Sequence, residues 1–341
     1  MNGEKDDTRV LTIAVPTFNM ESCLGKNLQT YYDDALIGKL EVLILNNASE
    51  DRSGEIAGEY CRRAPELYRL MNRGSRGYGS SVNEAIQAAR GTYFRIVDAD
   101  DWVDTKELLR LVRALESCTA DAVLTNYALV DMETQNMTPV TAEGVEYGTV
   151  YTDLKWPART LPSIHGTTYR TEILRGSGFY MQDGIFFVDE EYVILPYLYI
   201  STVIYYPFNV YRYQVANPNQ STSPLNRARY QEHRERILRR LIRAFYEAKG
   251  RGAPAGALAY CYERIRRGAG DHFTTLYMYV ESRRDGAALA RRWRDYLKTL
   301  PEKELYRDTR IKATLLHILN AFHISLPFYR KLKIILGGKR T

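Results

Sequence analysis

The stretch "RIVDADDWVD", residues 95–104, places Asp98, Asp100 and Asp101 within four positions, directly after an apolar run. Two carboxylates ~4 Å apart repel by ~4 kcal/mol at an effective dielectric near 20. The cluster is therefore either a solvated turn or a group that faces something positive. Its surroundings decide. "TYFRIV" (92–97) is one of five apolar, β-branched runs, with "VLTIAV" (10–15), "LEVLILNN" (40–47), "LYRLM" (67–71) and "DAVLTNY" (121–127). Helical periodicity fills the gaps. Leu24, Leu28, Tyr31 and Tyr32 share a face in 21–36; Ile56, Tyr60 and Cys61 fall together in 53–63. Val82, Ala85, Ile86 and Ala89 do so in 80–89, and Leu108, Leu109, Val112 and Leu115 in 105–117. Strand and helix alternate with short joints, which predicts an α/β protein with a parallel, doubly wound sheet.

In such sheets ligands bind beyond the carboxyl ends of the strands. The polar tips are "PTFN" (16–19), "NNASED" (46–51), "NRGSRGYG" (72–79) and "DADDW" (98–102), and they are expected to converge on one edge. The acids should thus face a site. Carboxylates at a strand end can share Mg²⁺ or Mn²⁺ with an oxygen-rich ligand. In "NRGSRGYG", glycines 74, 77 and 79 permit tight turns, and Arg73 and Arg76 could meet phosphate; an ordinary strand-to-helix turn is the alternative. The order GxxGxG after the third strand differs from the GxGxxG of a nicotinamide-binding first turn and argues against a dehydrogenase.

The 341 residues accommodate one large α/β domain with an appended piece, or two domains. Residues 1–225 carry 20 Lys and Arg against 30 Asp and Glu, whereas residues 226–341 carry 27 against 11. We expect a boundary there: 1–225 catalytic, 226–341 basic and α-helical. The helix "NRARYQEHRERILRRLIRAFYEAKG" (226–250) opens the second part, with Ile237, Leu238, Leu241, Ile242 and Phe245 as its apolar stripe. "GRGAPAG" (250–256) breaks it. From about 130 to 165 the pattern weakens to loops and antiparallel strands. The uncharged run 192–211 contains Pro196 and Pro207 and reads as a buried helix followed by a strand rather than a membrane span. Cys23, Cys61, Cys118 and Cys261 are scattered and read as free thiols in a reducing compartment. "MNGEKDDTRV" lacks the apolar core of a signal peptide, so a cytoplasmic location is expected. Residues 311–336 mix apolar stripes with basic ends, which suits either the inner face of an anionic membrane or packing within the protein, including a homo-oligomer. No aromatic-interleaved basic groove points to nucleic acid.

"TIAVPTFN", "EVLILNNASED", "NRGSRGYGSSVNEAIQAARGTYFRIVDADDW" and "FFVDEEY" occur in an order that resembles family 2 glycosyltransferases, over roughly residues 8–225. The resemblance implies the GT-A fold and metal-dependent, inverting transfer from a nucleotide-sugar, most simply a UDP-sugar, to a glycan or lipid-linked acceptor of cell-surface polysaccharide synthesis. It implies that Pro16, Thr17 and Phe18 hold base and ribose, with Asn47 where the family often has an Asp on the uracil. Asp98 and Asp100 match the DxD motif, Asp98 near ribose and Mn²⁺ or Mg²⁺ and Asp100 as the metal ligand; Arg76, Gly77 and Ala99 would line the donor. Asp189 matches the general base, although the commoner Glu-Asp pair reads Val188-Asp189 here, followed by Glu190 and Glu191. Asp101, Trp102, His165 and Glu190 fall on the acceptor side. His317 and His323 are six apart, a spacing that does not place both on one helical face. Two other readings stay open: a nucleotidyltransferase releasing pyrophosphate, and a non-catalytic scaffold that binds nucleotide-sugar or glycan.

Overall fold

The computed structural model describes residues 8–74, 77–152, 162–215 and 223–324. In chain order they form β1 (Arg9–Thr17), α1 (Leu24–Gln29), β2 (Leu40–Asn47), α2 (Ser53–Arg63), β3 (Tyr68–Arg73), α3 (Tyr78–Ala88), β4 (Gly91–Ile96), β5 (Trp102–Val103) and α4 (Thr105–Leu115). Next come β6 (Ala122–Asp131), β7 (Met137–Val140), β8 (Val150–Thr152), β9 (Thr167–Arg170), α5 (Thr171–Gly176), α6 (Asp189–Ile194) and β10 (Thr202–Val215). Five helices follow: α7 (Pro224–Arg229), α8 (Gln231–Gly250), α9 (Ala255–Met278), α10 (Arg283–Thr299) and α11 (Glu304–Ala321).

The sheet runs β3-β2-β1-β4-β9-β6-β10-β5, with β7 beside β6 and β8 beside β10. β3, β2, β1 and β4 are parallel; β9 enters antiparallel to both β4 and β6, and β10 returns parallel to β6. The β-branched and leucine-rich runs form strands buried on both faces. Leu11, Ile13 and Val15 stand beside Leu40, Val42 and Ile44 in register, and they pack with Leu24 and Leu28 of α1, Ala57 of α2 and Leu108, Leu111 and Val112 of α4. The other parity, Ala14, Leu43 and Leu45, is equally buried, and α3 lies against β1 and β2. Each fully buried aliphatic side chain of this kind contributes about 1.5–3 kcal/mol.

Three expectations are refined. The helix over 21–36 shortens to α1 and a separate 3-10 turn at Asp34–Leu36, because the Asp33 carboxylate accepts from Ala35 N–H at 2.9 Å and caps a new start. The basic helix divides at Tyr230 into α7 and α8, with the whole stripe from Ile237 to Phe245 buried. The uncharged run 192–211 becomes the end of α6, a 3-10 turn at Pro196–Leu198 and most of β10. Among the described residues no helix is long and apolar enough to cross a membrane.

The chain divides into two compact units, Met1–Asn217 with Glu247–Cys261, and Pro218–Tyr246 with Tyr262–Thr341. Glu247–Cys261 joins the sheet-bearing unit through Tyr260, whose hydroxyl donates to the Val193 carbonyl at 2.8 Å and whose ring stacks on Tyr197 at 4.2 Å. All four cysteines are free thiols.

Candidate active site

The tips of β1 and β2 are laced together. Backbone N–H groups of Asn19, Met20 and Glu21 donate to the side chains of Ser49, Ser53 and Asp51 at 3.1, 2.8 and 2.9 Å. Asn19 and Ala48 hold left-handed backbone, φ 53° and 56°, a conformation non-glycine residues adopt only where surroundings enforce it. Pro16 and Thr17 are buried and Phe18 is half-buried. Asn47 is buried, with its amide Oδ1 accepting from Arg73 Nη1 at 3.0 Å and its Nδ2 donating to Ser81 Oγ at 3.3 Å. Arg73 also pairs with Glu84 at 2.8 Å and donates to the Gly77 carbonyl at 3.1 Å, so it builds the turn into α3. Arg76 lies outside the described residues.

Gly77 and Gly79 allow a segment of the protein itself to approach. A Cβ at Gly79 would sit 2.0 Å from the Gln182 carbonyl, and one at Gly77 2.4 Å from the Asp183 carboxylate. Ser80 Oγ donates to Asp183 at 2.8 Å, and the Asn83 amide brackets the backbone of Met181 at 2.9 and 2.8 Å. The start of α3 thus grips the segment that leads into α6.

α6 opens with Asp189, Glu190 and Glu191, whose charges suit a helix N-terminus. Only Glu191 turns inward: it is fully buried and accepts from the Gln182 backbone N–H and side-chain amide, each at 2.7 Å. Asp189 is exposed and Glu190 half-buried. Phe187, just before them, holds φ 70°.

The acids after β4 are tied into the core. The Tyr78 hydroxyl donates to Asp98 Oδ1 at 2.8 Å. The buried Tyr211 hydroxyl accepts from Asp98 N–H at 3.2 Å and donates to Asp101 Oδ2 at 2.6 Å, while Gln214 N–H donates to Asp101 Oδ1 at 2.7 Å. Asn27 Nδ2 donates to the carbonyls of Asp98 and Asp101 at 3.1 and 2.8 Å. Burial, then the charges of Asp100 and Asp189, push Asp98 up to about 7 despite the Tyr78 hydroxyl. Burial, then Asp98 and Asp100, push Asp101 up to about 8, and burial raises Asp100. The charge of Asp189, at the start of α6, adds to the upward shift of both Asp98 and Tyr78.

His165 completes the group. Ligand atoms of Asp98, Asp101 and His165 lie within 4.8 Å of one another. The imidazole stacks on Tyr213 at 4.0 Å and meets Tyr211 and Tyr127 at 4.8 and 5.3 Å. Its Nδ1 is 2.9 Å from Ser163 Oγ, and fully buried Arg95 donates to its backbone carbonyl. Burial, then Arg95, depress its pKa to about 3, which keeps the ring neutral. A neutral imidazole beside two carboxylates is a donor set suited to a divalent cation. Among the described residues no Lys or Arg forms an ion pair with Asp98, Asp100 or Asp101. The desolvated negative charge therefore fits a metal ion.

Several sequence expectations take a definite place. Asp98, Asp101 and His165 come together, whereas Asp100 stands beside them outside the close group. Asp101 is buried with both carboxylate oxygens bonded inward. Ala99 is buried beneath the turn. Trp102 carries Lys26 Nζ 3.2 Å above its ring, which occupies that face. Tyr78, Tyr211, Tyr213, Arg95 and Asn27 were not foreseen. An arginine inside the apolar run "YFRIV" was the one local signal for them.

Residues 12–178 match the model of glycosyl transferase family 2. The uncharacterized glycosyltransferase EpsJ of Bacillus subtilis (strain 168) is 33% identical over 114 residues, 33% of this chain and 33% of that protein. The putative glycosyltransferase EpsH of the same organism is 28% identical over 122 residues, 36% of this chain and 35% of that protein. The chain thus spans about a third of the length of these curated relatives. In fold it is similar to S. aureus TarS 1–349 in complex with UDP (TM-score 0.64, 17% identity, 97% of this chain and 93% of that one). The complex of TarS 1–349 with UDP-GlcNAc gives a TM-score of 0.61 at 17% identity, with 94% and 92% covered. A sheet of this topology, an acid cluster at its carboxyl edge and the match over residues 12–178 identify that region as a glycosyl transferase family 2 domain.

Proposed function

We propose that the protein is a metal-dependent, inverting glycosyltransferase that moves a sugar from a UDP-sugar to a hydroxyl of a glycan or lipid-linked acceptor at the inner face of a membrane. The observation that carries this reading is the grouping of the desolvated Asp98, Asp101 and His165. UDP and UDP-GlcNAc in the TarS complexes support the choice of donor. Residues 1–225 are the catalytic part and residues 226–341 the basic helical part.

Asp98 and His165, with Asp101 or Asp100, would hold Mn²⁺ or Mg²⁺. The cation supplies neutralisation of the charge that develops on the departing diphosphate. Pro16, Thr17, Phe18 and Asn47 seat base and ribose, and Arg76, Gly77 and Ala99 border the diphosphate and sugar. The Asp189 carboxylate accepts the proton of the acceptor hydroxyl, whose oxygen attacks the anomeric carbon opposite the diphosphate and inverts it. Trp102 and Glu190 border the acceptor. The hydrogen bonds of Tyr78 and Tyr211 orient Asp98 and Asp101, and the Arg95 bond fixes the backbone under His165.

Calorimetric titration with UDP, in Mn²⁺ and in EDTA, tests the reading. UDP should bind only with the cation, and Asp98→Asn should abolish the difference. UDP affinity indifferent to both would refute it. Pyrophosphate release from a nucleoside triphosphate would mark a nucleotidyltransferase instead, and donor binding without turnover a scaffold.

A further inference from the structure

Helix α11 has two apolar faces. Leu305, Ala313, Leu316 and Leu319 are buried within the helical unit. Ile311, Leu315, Ile318 and the C-cap residue Phe322 recur at spacings of four, three and four, which aligns them along the opposite side. All four are exposed: Ile311 75%, Leu315 36%, Ile318 44% and Phe322 74%. A helix apolar on both sides ordinarily has both covered.

Glu304 and Asp308 stand at the N-terminal end of this line, and beyond them the sequence carries charge of one sign. From Thr309 to Thr341 the sequence holds seven Lys and Arg and no Asp or Glu. Exposed Arg310 and Lys312 follow directly on either side of Ile311. Lys312, Arg266 and Arg267 also line a cleft of about 260 Å³, against Asp271 and Asp308. Lys312 is paired with Asp271, and Arg266 and Arg267 with Glu263, so Arg310 is the cation beside the stripe that a symmetrically docked second copy would set against itself. The stripe also offers only roughly 400 Å² of apolar surface, about half of the ~800 Å² per partner of a stable interface. An anionic surface with an apolar interior complements both features: the stripe enters the acyl boundary and the cations meet headgroup phosphates.

We propose that the Ile311–Phe322 face of α11, with its surrounding Lys and Arg, docks the protein flat onto an anionic phospholipid bilayer. This deepens the membrane-side part of the proposed function, and its test needs neither donor nor acceptor. Full-length protein is co-sedimented with vesicles of phosphatidylcholine alone and of an equal mixture with phosphatidylglycerol. Binding to the mixed vesicles is expected, weakening as salt is raised, with little binding to the neutral ones. Ile318→Ser/Phe322→Ser should weaken partitioning about tenfold or more. Arg310→Glu should weaken it roughly tenfold. UDP binding by the same preparations, unchanged, shows that the variants are folded and scores the donor site separately. Equal binding to neutral vesicles would overturn the proposal, as would serine-variant binding equal to wild type. A dimer in sedimentation velocity that the serine variant returns to monomer would also overturn it and assign the face to a second copy.

Discussion

Removing divalent cations should make the protein less stable as pH rises from 6.5 to 8.5. Asp98 and Asp101, raised from an ordinary value of 3.8 to about 7 and about 8, keep protons in the folded state that the unfolded chain has already lost. The folded state therefore binds more protons in this window, and stability falls as pH climbs through the two raised values. His165 and His272, both depressed by burial, hold fewer protons folded than unfolded near pH 6.5, where an unfolded imidazole is half protonated, so they offset part of this fall at the lower end of the window. At 1.36 kcal/mol per pKa unit, the pair accounts for a loss of about 2–3 kcal/mol between pH 6.5 and 8.5, taken as coupled titrations. Urea denaturation in EDTA at the two pH values measures it. Asp98→Asn/Asp101→Asn should flatten the dependence. Saturating Mn²⁺ should reverse it, because the cation binds the ionised pair and gains as protons leave. An EDTA-treated protein equally stable at both pH values, or a wild type and double variant with the same slope, would refute the claim that these acids are buried without a cation.

Asp189→Asn should lower kcat by about 10²–10⁴-fold with UDP affinity unchanged, since a general base acts on the acceptor; parallel turnover and calorimetry decide it. Tyr211→Phe removes the 2.6 Å bond to Asp101 and the acceptor of Asp98 N–H, and should cost about 2–4 kcal/mol in urea denaturation together with weaker Mn²⁺ binding. Gly79→Ala forces a methyl group to within 2.0 Å of the Gln182 carbonyl, and should destabilise by about 1–3 kcal/mol while lowering turnover through displacement of the segment before α6.

The strands of the sheet's parallel half were legible because they are buried on both faces, and such runs announce themselves as continuous apolar segments. β1 to β4 lie within a few residues of where "VLTIAV", "LEVLILNN", "LYRLM" and "TYFRIV" put them. The antiparallel strands expected over 130–165 are present as β7 and β8, but the insertion of β9 was not legible. β9 is only "TTYR", and its place between β4 and β6 is set by pairing partners about 75 and 45 residues away, which local pattern does not encode. The same distance hid Tyr211, more than 100 residues from the acids it bridges.

The acids themselves show where a correct local reading selects a different neighbour. An extended strand end has period two, which pairs Asp98 with Asp100. β4 stops at Ile96, however, and the next residues turn: Asp101 N–H donates to the Asp98 carbonyl at 3.1 Å. In that turn the positions three apart meet, so Asp98 groups with Asp101, and Tyr211 bridges the pair. A comparable sorting occurs in "DEEY", where steps of about 100° per residue separate neighbours around α6. Glu191 faces inward and bonds Gln182, while Asp189 stays at the exposed surface. In both motifs residue type announced the chemistry, whereas the local helical or turn geometry determined which carboxylate points into the protein.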